Sequence, residues 1–86
     1  MNDKEHLAAV KEQVAKIARS LNGVPTSVGI DALLTLSAVM ISATAVTKDE
    51  AANRVVEAGA KLVSHVMRNY DHERAEYVAA NKGRLQ

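Results

Sequence analysis

At 86 residues, with a formal net charge of +1 and no Cys, the chain excludes disulfides, thiolate metal sites and a surface charged strongly enough to attract nucleic acid or anionic lipid as a whole. A domain of this size buries only about 60% of the surface its unfolded chain exposes, so its core is small. Hydrophobic residues make up 48% of the chain, but Phe and Trp are absent and Tyr70 and Tyr77 are the two aromatics, which leaves Leu, Ile, Val and Met to build that core.

The first residues, Met1-Asn2-Asp3-Lys4-Glu5, are polar and of mixed sign, unlike a secretory leader. Together with the absence of Cys, this leads us to expect a cytoplasmic protein. A first helix is predicted over 3–21, capped by Asn2 or Asp3. Leu7, Val10, Val14, Ile17 and Leu21 follow at spacings of 3 and 4, a narrow apolar seam. Lys4, Glu5, Lys11, Glu12 and Lys16 occupy the other side, with Glu12 and Lys16 in the favourable i, i+4 order. Asn22-Gly23 is a helix stop, and Pro25 sets a new direction.

A second helix is predicted over 27–46, capped by Thr26 or Ser27. From Ala32 to Thr47 the chain carries no charge, and large aliphatic residues occupy most of the circumference. At 1.5 Å per residue this run is about 24 Å long, short of a hydrocarbon core of roughly 30 Å. It also holds five hydroxyl residues and follows Asp31, so a buried helix is expected and a membrane span is not. One ridge, Asp31, Thr35, Ala38, Ser42 and Ala45, is small or polar throughout. It either faces water or lets another helix come close. Asp31, the one charge in this part of the chain, suits the first turn of a helix, where the dipole favours an anion.

Thr47-Lys48-Asp49-Glu50 is a capping box that opens a third helix over 48–69. Ala52, Val56, Gly59, Val63, Val66 and Tyr70 form its seam. Gly59 costs about 1 kcal/mol of helix propensity there relative to Ala, which a close helix crossing would explain. Asn69-Tyr70-Asp71 predicts a break and a short fourth helix over 71–81. Because Pro and a second Gly are absent from this stretch, one continuous helix of about 33 residues, roughly 50 Å long, is the alternative. Asn81-Lys82-Gly83 stops the helix, and Arg84–Gln86 are expected to fray.

No motif in the chain points to a named activity. His65, Asn69, His72 and Glu76 would share one helical face, but His residues seven apart lie about 10 Å from each other along the axis, too far for one ion. No metal, cofactor or catalytic residue is therefore assigned. Arg54, Lys61 and Arg68 recur every seven residues and could face phosphates, although Glu50, Glu57 and Glu73 interrupt them and a mixed-sign solvated face gives the same list. Tyr70, Arg74 and Tyr77 form either a core anchor or a partner-binding patch.

These readings lead us to expect an all-α fold: an antiparallel three-helix array with a C-terminal helical extension, one domain, assembled as a helical-bundle homodimer. Self-association is assigned to Leu33, Leu36, Ala38, Met40, Ile41, Ser42, Ala45 and Gly59. The expected role is that of a small non-enzymatic adaptor, inhibitor or regulator that binds another protein. Phage and mobile-element accessory proteins are often of this size. A nucleic-acid-binding regulator using Arg54, Lys61 and Arg68 is the alternative.

Overall fold

A computed structural model describes residues 1–83. It contains three α-helices, α1 (Asp3–Ser20), α2 (Thr26–Thr44) and α3 (Lys48–Ala80), and no strand among the described residues. The chain divides into two units inside α2, between Ser37 and Ala38. The expected fraying of Arg84–Gln86 lies outside the described residues.

In the first unit, Asn2 caps α1. Its Oδ1 accepts from the Glu5 amide at 2.8 Å while its Nδ2 donates to Glu5 Oε1 at 2.9 Å, so one backbone amide otherwise left open at the helix start is paired and the two side chains are joined. At the far end the Leu21 amide donates to the Ile17 carbonyl at 3.0 Å, and Gly23 takes φ +82, a left-handed conformation that a Cβ disfavours. The chain then turns at Pro25, whose carbonyl accepts from the Gly29 amide at 3.0 Å. Thr26 and Ser27 are thus the first helical residues of α2 rather than its caps. Pro suits the entry to a helix because its φ is already helical and its missing N–H is not required there.

The elbow closes by side-chain contact. Both Cδ atoms of Leu21 lie 3.7 Å from where a Gly29 Cβ would sit, and Gly29 is the one buried residue among those described. Beside it a hollow of about 240 Å³ is lined by Leu21, Pro25, Gly29 and Leu33, among others.

In the second unit, Thr47 caps α3 as its sequence predicts. Thr47 Oγ1 accepts from the Glu50 amide at 3.1 Å, and Glu50 Oε2 reaches one residue further back to accept from the Val46 amide at 2.8 Å. The predicted break at Asn69–Asp71 does not occur, and α3 runs unbroken for 33 residues. Asn69, which would have to cap a new helix, instead donates from Nδ2 to the His65 carbonyl one turn back at 2.9 Å. Its polar group is satisfied inside a continuing helix, so nothing at this point competes with the backbone ladder. α3 ends at Ala80, with the Asn81 amide donating to the Tyr77 carbonyl at 3.0 Å.

The expected aliphatic core is not formed within the chain: no hydrophobic side chain is buried among the described residues. Leu7, Val10 and Val14 of the α1 seam are exposed, as are the large residues of α2 other than the half-buried Ile41. The reason lies in the pattern. Each helix presents an apolar side wider than the neighbouring segments of its own unit cover.

Candidate functional site

The candidate site is an interaction surface spread over α2 and α3. Consecutive helical residues are turned by about 100°, so the α2 residues assigned to self-association fall on two sides. Leu33, Leu36 and Met40 make one stripe, at exposures of 39%, 53% and 60%. Ala38, Ser42 and Ala45 lie on the opposite side, with Ile41 between them. Ile41 and Ala45 are half-buried, and the Ala45 amide donates to the Ile41 carbonyl at 2.9 Å, so this end of the small-residue ridge is held close to the turn into α3. Leu33 lines the hollow at the Leu21–Gly29 elbow. α2 therefore carries a large-residue side and a small-residue side, and the sequence assigned residues of both to self-association.

α2 has 19 residues and a mean hydropathy of 1.6 over its most apolar window, long and apolar enough to cross a membrane. Its length, about 28 Å at 1.5 Å per residue, exceeds that of the charge-free run because the helix begins at Thr26, ahead of Asp31. Core helices of soluble proteins meet the same length and composition criteria.

At the start of α3 the geometry ties two helices together within the second unit. Arg54 Nη2 donates to Glu50 Oε1 at 2.8 Å, and Arg54 Nη1 donates to Thr44 Oγ1 at 2.8 Å. Thr44 Oγ1 donates in turn to the Met40 carbonyl at 2.8 Å. The Val46 amide foremost, and then the Arg54 guanidinium, hold the Glu50 carboxyl below the usual carboxylate range, because both favour its charged form. Arg54 is thus committed to the α2–α3 junction. Lys61 and Arg68 are exposed on α3 and carry the rest of the basic stripe.

The sequence supplied the i, i+4 spacing of Glu50 and Arg54 but missed the reach of Arg54 to Thr44. That contact depends on the angle at which α3 leaves the turn, which hydrophobic periodicity does not encode.

Towards the end of α3 the two Tyr residues are exposed, Tyr70 at 58% and Tyr77 at 46%, so neither anchors a core in this chain. Arg74 Cζ lies 5.6 Å from the centroid of the Tyr77 ring. A cation over an aromatic face at this distance contributes about 0.5–1 kcal/mol when exposed, enough to bias both rotamers. The patch of Tyr70, Arg74 and Tyr77 stands open on one end of α3. Gly59 stands open as well: a Cβ there would meet nothing within 4 Å, so among the described residues of its own unit no helix makes the close crossing expected at that position.

His72 Nε2 and Glu76 Oε1 approach to 3.9 Å on an exposed face. Among the described residues, no three His, Asp or Glu side chains are placed to hold one metal ion. Comparison with protein-family profiles, curated proteins and solved structures found no match to this chain.

Proposed function

We propose that the chain is a small non-enzymatic helical protein, an antiparallel helix array that self-associates as a helical-bundle homodimer and, so assembled, binds another protein as adaptor, inhibitor or regulator. One observation carries the reading. The Leu33, Leu36 and Met40 stripe of α2 is open along its length, at 39–60% exposure, and exposed apolar surface of this extent is expected where another surface docks. Small scaffolds with too little core of their own gain it by oligomerising. The second partner is assigned to Tyr70, Arg74 and Tyr77, since Tyr and Arg are enriched at binding hot spots.

Affinity capture with the intact protein, compared with Tyr77→Ala and Arg74→Ala, tests the recognition patch. Loss of the same captured protein in both variants supports it, and unchanged capture returns these residues to a structural role. Nucleic-acid binding by Lys61 and Arg68 is separated by salt: phosphate contacts release counterions, so affinity would fall steeply between 50 and 200 mM salt. No binding at low salt removes that alternative.

Bilayer insertion of α2 is a second reading, favoured by its 19-residue length and by the exposure of its residues other than Gly29 and Ile41. Flotation of the purified chain with liposomes, resistant to alkaline carbonate, would support it over self-association in water.

A further inference from the structure

The continuity of α3 carries its seam beyond Tyr70. Val56, Val63, Tyr70 and Tyr77 recur every seven residues, and Ala52, Gly59, Val66, Glu73 and Ala80 fall between them at spacings of 4 and 3. This is the repeat that keeps one side of a helix against a neighbour along its length. Val55, Ala60, Leu62 and Met67 flank the seam without charge, while Arg54, Lys61 and Arg68 lie diametrically opposite. The seam is open, with Val56 at 71% and Val63 at 63% exposure.

We propose that a second copy of α3 packs antiparallel along this seam, with Tyr70 and Tyr77 of each chain seated over Gly59 and Ala52 of the other. This rests on the self-association reading above and specifies its geometry; it takes Tyr70 and Tyr77 out of the patch assigned there to another protein and places them in the dimer seam, with Arg74 at its edge. In antiparallel helix pairs, residues of the two alternating sets face each other across the seam. The register that sets Tyr70 on Gly59 also sets Tyr77 on Ala52, Val63 on Val66 and Val56 on Glu73. It brings Asp49 opposite Ala80, so the two helices overlap over their whole length.

Bulk and space are matched in this register. Gly, the poorest helix former after Pro, occupies the position that faces the Tyr70 ring, and nothing in its own chain approaches it.

Charge separates this arrangement from the parallel one. A parallel pair sets each seam residue on its own copy, so two Glu73 carboxylates meet, Tyr stacks on Tyr, and Gly59 faces Gly59 across a void. The antiparallel pair places Arg74 beside Asn53 and Glu76 beside Val55, with no like charges adjacent. A contact about 50 Å long and roughly 10 Å wide on each helix covers on the order of 1,000 Å², the extent at which an interface becomes specific.

The chain contains no Cys, so introduced thiols report the register directly. Full-length Val56→Cys and Glu73→Cys proteins, one carrying a mass tag, are mixed and oxidised. The expected result is a heterodisulfide at least tenfold above either homodisulfide. A predominant Val56→Cys homodimer signifies parallel pairing and overturns the proposal, as does a mixture with no cross-linked product.

Light scattering of the wild-type chain separates the two failures: a dimer without the heterodisulfide refutes this register alone, whereas a monomer refutes self-association as well. As a second measure, Gly59→Leu fills the space proposed for Tyr70. It should weaken dimerisation at least tenfold while helicity by circular dichroism holds or rises, and unchanged dimerisation would overturn the proposal.

Discussion

Replacing Leu36 by Ala separates a covered α2 stripe from one that stays in water. Leu36 is 53% exposed within its own chain. Full burial of a Leu side chain stabilises by roughly 2 kcal/mol, so about 1 kcal/mol remains to be gained when a partner covers it. A two-fold symmetric dimer counts the residue twice, giving about 2 kcal/mol per dimer, which corresponds to a roughly 30-fold weaker dissociation constant for Leu36→Ala. Val28→Ala is the control: Val28 is similarly exposed, at 54%, but points away from the Leu33, Leu36 and Met40 stripe on the same helix. Its dissociation constant should change less than about threefold. Sedimentation equilibrium on wild type and both variants measures the difference. Equal weakening by the two substitutions, or none by Leu36→Ala, would refute the assignment of that stripe.

Three further outcomes follow from the helix ends. Thr47→Ala removes the acceptor for the Glu50 amide and should cost about 1 kcal/mol, seen as faster amide hydrogen exchange in the first turn of α3 and a lower denaturation midpoint. Gly23→Ala forces a Cβ into the φ +82 conformation and should cost about 1–2 kcal/mol, with unchanged stability counting against the observed turn. Glu50 has a folded-state pKa lowered from 4.5. Its contribution is therefore complete above that value and is lost as pH falls through the lowered one. Exchange protection at Val46 and Glu50 should decline on acidification below about pH 4.5 in wild type and lack this step in Glu50→Gln.

The helices themselves were legible because their signals are local. Asn2, Thr47 and Asn81 mark the ends through groups that bond within four residues, Gly23 marks one through its left-handed backbone, and the observed boundaries follow them closely. The continuity of α3 was harder to read, since Asn69 and Asp71 resemble a cap in sequence. Whether Asn69 bonds forward to start a helix or back to the His65 carbonyl depends on a competition the residue type does not decide.

The interaction surface was legible only in part. Periodicity identified the apolar sides of α2 and α3 and set the small-residue ridge of α2, through Ala38 and Ser42, apart from its large aliphatic residues. The Arg54–Thr44 contact crosses ten residues of chain and makes Arg54 a brace for the junction.

The central claim is that a second copy covers the apolar sides of α2 and α3, and the mass of the intact chain in aqueous buffer tests it most directly. The chain weighs 9.2 kDa. Multi-angle light scattering at tens of micromolar, without detergent or lipid, should give about twice that mass, as expected of a two-fold symmetric dimer. A helical, monodisperse species at 9.2 kDa that persists to the highest concentration measured would contradict it.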